Sequence, residues 1–419
     1  MRILIWHGYL LGGTGSNVYT RSLARTWSRQ GHEVVVFCQD PHPEAHDLGG
    51  ARVVRPHLDG PLPVFVLDRY EDAEAMLLGD LAWADRERFV AVNADALRAA
   101  LPADVVLVNH ILLGAPVGSA AGAPFVVKAH GSELEFAIRG DAQLAEWART
   151  TLASARGVLA GSEHIVDVID QVIGTGPHTS RTHVVPPGVD VELLRPQDRE
   201  SALRRLLTEC RRDAPNPGNA DNRRPDEGNA ERLAAFFATG EQTVFFVGKL
   251  SDEKGVTLLL EATAALDVRT VIAGFGPARA ELKAMAGPRV LFTGALEHRH
   301  LAPLWALADV AVTPSVFPEA FGMVAAEAAA CGCLPLVARH SGLAEIASAL
   351  ADAYPAEQRH LTAFDNGSVA DLQSKLRQLL ALPSAERAVL AAAARETAVR
   401  NWSWDSVADR IVRIATQAD

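Results

Sequence analysis

The chain has 419 residues, 48% of them apolar and 22% charged, and carries a net charge of −11. This is the composition of a soluble globular protein too long for one ordinary core, so two domains are expected, and the acidic balance argues against general affinity for nucleic acid or anionic membranes. No apolar run approaches the ~20 residues of a membrane helix, and four cysteines (Cys38, Cys210, Cys331 and Cys333) suit a reducing cytoplasm better than a disulfide framework.

The opening Met1-Arg-Ile-Leu-Ile-Trp6-His7-Gly8 reads as a first β-strand, its apolar stretch too short for a secretion signal. Gly12-Gly13-Thr14-Gly15 follows and leads into a helix over 17–30. Glycines at such a point let backbone N–H groups approach a phosphate. A dinucleotide fingerprint is incomplete here, because Val18 stands where the third glycine belongs and Asp40 comes late for the ribose acid. Arg21, Arg25 and Arg29 share one face of this helix, which reads either as a solvated face or as a contact for an anionic membrane surface or a phosphorylated acceptor. Further strands are expected over 33–38, 104–108, 125–128 and 157–160, with helices over 141–155 and 162–173. This alternation implies a parallel sheet covered on both faces, with ligands at the carboxyl ends of its strands. Lys128-Ala-His130-Gly-Ser132-Glu133 lies at one such end. Its histidine is either functional or a core-edge residue satisfied by backbone.

His183-Val-Val-Pro-Pro-Gly-Val-Asp190 breaks the alternation as an extended stretch ending in a proline turn. Residues 211–232 are polar and rich in Pro, Gly and Asn, and are expected to form a mobile loop, either a lid or a disordered insertion between domains. Alternation then resumes, with strands expected over 243–247, 269–273, 289–292, 309–312 and 334–337 and helices over 256–266 and 300–307. Cys331 and Cys333 have the wrong spacing for a usual zinc pair and read as small residues at a buried helix end. An aromatic-anchored helix containing Trp402 and Trp404 closes the chain.

Four stretches of the second half are candidates to carry chemistry. Gly248-Lys249-Leu-Ser-Asp-Glu-Lys254-Gly255 follows a strand, and its two lysines can reach one diphosphate, unless the loop is merely solvated. Gly274-Phe275-Gly276-Pro277 and Gly294-Ala295-Leu296 are turns after the next two strands. Residues 313–333 read as loop and Ala-rich helix, with Glu319 before the helix and Glu327 within it. A helix start attracts phosphate, and carboxylates accept hydrogen bonds from hydroxyls. A nucleotide-sugar combines both features, although an Ala-rich packing helix with a solvated edge has the same pattern.

Glu319 and Glu327, set around Phe321-Gly322, resemble the E-x7-E motif of retaining glycosyltransferases of family 4, which have the two-domain GT-B fold. The lysine loop resembles that family's G-[RK]-L-x-x-x-K-G run, with lysine at 249 where many relatives have arginine. His130-Gly-Ser-Glu133 resembles H-G-x-[ED], the Gly12-Gly13 loop resembles the family's Gly-Gly loop, and 184–190 resembles the segment closing the first domain. The resemblance implies an α/β architecture of two Rossmann-like doubly wound domains facing a central cleft. The expected division is 1–188, a linker with a polar insertion over 189–240, a nucleotide-sugar-binding domain over 241–395, and a helix over 396–419 packing back on the first domain.

The same resemblance implies site roles. Glu319 would bind donor-sugar hydroxyls and Glu327 the ribose. Gly12, Gly13, Gly248, Lys249 and Lys254 would meet the diphosphate, together with the helix-start residues Ala320, Phe321, Gly322, Met323 and Val324. Gly274, Phe275 and Leu296 would lie by the nucleobase, His130 beside the transferred sugar, and Ser132 and Glu133 against donor or acceptor. His130, Lys254 and Glu319 are the expected catalytic residues. No Asp-x-Asp occurs, so a metal clamp is not expected; the partners would be a nucleoside-diphosphate sugar, UDP in the first place, and a hydroxyl acceptor, with at most peripheral membrane contact. Two other readings stand beside this one: another GT-B enzyme such as an epimerase or phosphorylase, and a non-catalytic nucleotide-sugar binder.

Overall fold

The computed structural model describes residues 1–13, 15–67, 74–221 and 223–417. It divides into two compact units, Met1–Gly188 with Trp404–Asp419, and Val189–Ser403.

The first unit is built on β1 (Arg2–Trp6), α1 (Gly15–Arg29), β2 (Glu33–Phe37), β3 (Arg52–Val54), a small parallel pair β4 (Leu62–Val64) and β5 (Ala75–Leu77), α2 (Trp83–Ala99), β6 (Val105–Asn109), α3 (Ala115–Ala121), β7 (Val126–Lys128), α4 (Ala142–Leu152), β8 (Gly157–Ala160), α5 (Glu163–Val172) and β9 (Thr182–Val184). Its main sheet runs β3-β2-β1-β6-β7-β8-β9 and is parallel throughout. The central strands are near-continuous apolar runs because both faces are covered. Side-chain alternation sorts them: Leu4 and Trp6 join one core with Phe89, Leu97 and Leu144, while Ile3 and Ile5 join another with Leu23, Trp27 and Ile411. Asp141 and Ser162 cap α4 and α5 by accepting backbone N–H bonds.

The arginine face of α1 is engaged within this unit. Arg21 lies 3.1 Å from Nδ1 of His46, Arg25 3.8 Å from Asp47 and Arg29 3.3 Å from Asp47. The loop after β2 thus supplies Asp47 as counter-charge to this face, in keeping with the solvated-face reading.

The second unit contains α6 (Arg199–Cys210), α7 (Asn229–Phe237), β10 (Thr243–Val247), α8 (Val256–Ala264), β11 (Arg269–Ala273), α9 (Arg279–Met285), β12 (Val290–Phe292), α10 (His298–Leu307), β13 (Val310–Thr313), α11 (Met323–Ala330), β14 (Leu334–Ala338), α12 (Ser341–Ala353), β15 (Ala363–Phe364), α13 (Val369–Ala381) and α14 (Ser384–Trp402). Its sheet runs β12-β11-β10-β13-β14-β15, again parallel. Cys331 and Cys333 are buried in its core, where burial pushes both thiols well above their usual range.

Residues 211–232 do not form the loose segment their composition suggests. Asn216, 4% exposed, donates to the carbonyls of Asp221 and Pro225 at 2.9 and 3.0 Å. Pro225 pairs with Gly294, and the Asp226 amide donates to Thr293 at 2.7 Å. The Asp226 carboxylate is buried against Arg279 at 2.5 Å. Polar side chains satisfied inside the unit thus replace the apolar anchors the segment lacks.

The chain breaks at Ser403, and α15 (Trp404–Thr416) joins the first unit, where Trp404, Val407 and Ile411 cover the Ile3/Ile5 face. The change of unit falls at 403/404 rather than at 396.

Candidate active site

Each sheet has one point where the chain reverses its direction of growth, and ligands of open parallel sheets gather there. In the second unit this point lies between β10 and β13. The loop after β10 carries Gly248–Gly255, and the loop after β13 carries Pro314–Gly322. They meet where Lys254 donates a hydrogen bond to Oε1 of Glu319. Ser315 donates to the same oxygen at 2.6 Å. Both ends of the ion pair stay partly open to solvent, at 32% and 23% side-chain exposure, so a ligand can reach them. Lys249 is exposed nearby in sequence.

α11 begins at Met323 with Gly322 as its N-cap in the left-handed region, at φ +112. Its free N–H groups lie directly after the Glu319 loop. Glu327 sits one turn further in, 7% exposed, with Oε1 at 3.2 Å from Nε2 of His298. Phe321, expected among the ligand contacts, is instead buried edge-on against Trp402, ring centroids 5.9 Å apart. It fixes the loop from behind. Ala320 is exposed, and Met323 and Val324 pack half-buried on the core.

The glycine turns after β10 and β11 are held together by backbone contact. A Cβ at Gly274 would lie 1.8 Å from the Gly248 carbonyl oxygen, so no side chain is possible there. The Leu250 amide donates to Phe275 at 2.8 Å and the Gly274 amide to Gly294 at 2.8 Å. The Arg223 guanidinium lies over the Phe275 ring at 5.7 Å, bringing the 211–232 segment to this turn. Leu296, which follows the Gly294 turn in the chain, is half-buried.

In the first unit the reversal falls between β1 and β6. The glycine loop after β1 is fastened on both sides: Asp40 accepts the Leu11 amide at 2.7 Å, and Asn17 donates to the Gly12 carbonyl. Asp40 is thus the anchor of this loop and no ribose acid. Thr14 lies outside the described residues.

After β6 comes His110, a non-glycine residue at φ +68. Its ring lies 4.6 Å from that of His130 and 6.2 Å from that of His7. His130 Nε2 is 2.7 Å from Asn109 Oδ1. Burial, then the neighbouring His110 and Lys128, hold the His130 pKa well below the ordinary histidine range, so its ring is neutral. Lys128, donating to Val185 at 2.8 Å, has its pKa lowered by burial to about 7.

Glu133, expected to touch donor or acceptor, is fully buried. It accepts the amides of His130 at 2.8 Å and Ile111 at 3.4 Å and lies 3.3 Å from His110 Nδ1. Burial alone would raise its pKa, but His110 and backbone donors reverse the shift and hold it below the usual carboxylate range. Its work here is to fix the His110 ring and the backbone at Ile111 and His130.

Among the described residues one group, Cys210, Asp213 and His300, lies close enough to hold a metal ion. Nδ1 of His300 accepts the Glu297 amide in a capping box, which leaves the hydrogen on Nε2, 3.1 Å from Asp213. Asp213 is paired with Arg299 at 2.6 Å, while His300 Nε2 and the second Asp213 oxygen are buried without a hydrogen-bond partner among the described residues.

Two of these residues escaped the sequence reading: His110 and Ser315. Both follow strands at carboxyl ends, and that position is the signal that could have flagged them.

Two doubly wound units with paired acid, lysine loop and glycine turns at their reversal points define a GT-B glycosyltransferase. The model of the glycosyl transferases group 1 matches residues 230–397, and that of the glycosyl transferase 4-like domain matches 14–188. The chain belongs to this family 4 type of group 1 glycosyltransferases. A D-inositol 3-phosphate glycosyltransferase of Mycobacterium tuberculosis is 29% identical over 422 aligned residues, 95% of this chain and 78% of its own. Anabaena HepE, solved in complex with UDP, superposes with a TM-score of 0.67 at 18% identity, covering 98% of both chains. The sucrose-phosphate synthase of Thermosynechococcus elongatus superposes at 0.64 with 20% identity, over 98% of this chain and 96% of that one. No helix of the described residues is long and apolar enough to cross a membrane.

Proposed function

We propose that the protein moves a sugar from a nucleoside diphosphate, UDP in the first place, to a hydroxyl acceptor with retention at the anomeric carbon. The observation that carries this reading is the Lys254–Glu319 pair at the reversal point of the second sheet. A cation suited to a departing diphosphate and a carboxylate suited to sugar hydroxyls are offered side by side. Lys249 and the N–H groups at the start of α11 add to the electrostatic sink. Glu327 holds the ribose, and the turn at Gly274-Phe275 with Leu296 receives the base. Neutral His130 lies against the sugar. The leaving phosphate itself can take the acceptor proton, so no protein base is assigned. With Glu319 turned to Lys254 and Glu327 to His298, the site relies on fixed cations and amides, and the reaction is expected to survive chelation. HepE complexes with UDP-glucose support the choice of nucleotide, and the inositol 3-phosphate relatives make a cyclitol phosphate the first acceptor to try.

The test is incubation of the purified protein with UDP-, GDP- and ADP-sugars, with and without inositol phosphate, following nucleotide release and the anomeric configuration of any product. Release from none of the donors, or an inverted product, refutes the reading.

A further inference from the structure

Glu319 is held by a closed circuit of hydrogen bonds that includes two residues without an assigned role. Its carboxylate accepts from Ser315 Oγ at 2.6 Å, and its own amide donates to Ser341 Oγ at 2.9 Å. Ser341 Oγ lies 3.0 Å from His340 Nδ1, and His340 Nε2 lies 2.6 Å from the Ser315 carbonyl. A carbonyl only accepts, so Nε2 carries the ring hydrogen and Nδ1 accepts the Ser341 hydroxyl hydrogen. The hydrogen bonds of the ring Ser315–His340–Ser341–Glu319 then run in one direction throughout, and Glu319 Oε1 also accepts from Lys254.

Two further facts set this circuit apart from an ordinary loop contact. Ser341 adopts φ +45, a left-handed conformation that a serine pays for and a glycine does not. Such strain persists where the surroundings impose it, and it collects at functional sites. Next to it, a Cβ at Gly342 would lie 2.6 Å from Phe321 Cα, and the Gly342 amide donates to the Glu319 carbonyl at 3.0 Å. The start of α12 is thus seated directly on the backbone of 319–321, and its first side chain is aimed at Glu319.

We propose that His340 and Ser341 are positioning residues for Glu319: they fix the carboxylate where it meets the donor sugar, independently of how the nucleotide is held. This inference rests on the transferase reading above. It separates two properties that a structural role would not. Losing the circuit should impair turnover of a sugar nucleotide while leaving the affinity for the sugar-free nucleotide intact.

The deciding variant is Ser341→Gly, which removes the hydroxyl and at the same time relieves the backbone strain. With UDP-glucose as donor and UDP as the sugar-free probe, kcat is expected to fall on the order of tenfold to a hundredfold, the scale of a misplaced reacting group. The Kd for UDP should stay within about twofold, and the Tm should hold or rise. His340→Ala should reproduce the loss of kcat with unchanged UDP binding. Wild-type kcat in Ser341→Gly overturns the proposal, as does a parallel loss of UDP binding, which would mark general damage. A wild-type protein that neither binds UDP nor releases nucleotide from UDP-, GDP- or ADP-glucose overturns instead the reading on which it rests.

Discussion

Nζ of Lys254 and Oε1 of Glu319 are hydrogen-bonded to each other from loops that follow two adjacent strands, β10 and β13. A partly exposed ion pair of this kind adds little to stability. Under the proposed function its use lies in charge storage: the diphosphate of a donor would draw off the lysine, and the sugar hydroxyls would then take the carboxylate. Lys254→Ala and Glu319→Ala are each expected to lower kcat by at least ~100-fold with only a small change in Tm. The double variant should lose much less than the product of the two, because the residues act as a unit. Near-normal transfer by either purified variant refutes the assignment.

Asp226 is the anchor of the polar segment before α7. Its side chain is 1% exposed and contacts Arg279 at 2.5 Å, Arg232 at 3.5 Å and Lys283 at 3.9 Å. Asp226→Ala leaves a cluster of cations with no buried counter-charge, a loss of about 3 kcal/mol or more. Urea unfolding of the variant should show the midpoint lowered with the slope unchanged. A wild-type midpoint would mean that the segment is not held through this residue.

The apolar strands of both sheets were legible because a parallel strand buried on two faces leaves a run such as Val105–Asn109 or Leu334–Ala338 with almost no polar residue. Strand-helix alternation implied a parallel sheet covered on both faces, but the strand order, and with it the two reversal points, is set by tertiary packing that alternation does not report. Less visible were β3 and β15, short edge strands whose pattern is too brief to stand out. The 211–232 segment was misread for a physical reason: composition reports missing apolar anchors, but Asn216 and Asp226 fasten it through hydrogen bonds and charge, which composition does not count. Within the site, Glu319 and Lys254 stood out by spacing. Glu133 was recognised but given the wrong task, since a motif shows which residues belong together and not which of them faces the ligand. His340 and Ser341 carry no spacing signal at all; only the fold brings them to Glu319.

The buried histidines of the first unit set a pH limit. Burial, reinforced by the nearby His110, lowers the His7 pKa to about 3, and His130 is also held well below its ordinary value. Below about 6.5 the unfolded chain takes up protons that these folded rings refuse, so the unfolded state binds more protons and stability falls as pH falls. For His7 the loss continues down to about 3. Glu133, whose folded pKa is lowered, adds a further loss beginning near its unfolded value of about 4.3. Urea midpoints measured between pH 7.5 and 5 should fall steadily, and His7→Gln should flatten the slope. An unchanged slope in that variant would show that His7 does not carry the dependence.

Trp404 joins α15 to the candidate site of the first unit. Its ring stacks edge-on with Tyr19 at 5.6 Å, and Tyr19 stacks edge-on with His130 at 5.4 Å. On its other side the indole leaves no room at Gly188, where a Cβ would lie 2.3 Å from the ring. Trp404→Ala removes a buried aromatic and should cost about 3 kcal/mol. Gly188→Ala should also destabilise, by forcing the same ring out of place. Both effects belong to the first unit alone, so calorimetry should show its transition lowered while that of the second unit keeps its temperature. Because Tyr19 supports His130 from behind, kcat should fall in Trp404→Ala even at temperatures well below unfolding, with UDP affinity retained. A variant that unfolds earlier yet keeps full kcat in the cold would mean that α15 only covers the sheet and does not hold the histidine in place.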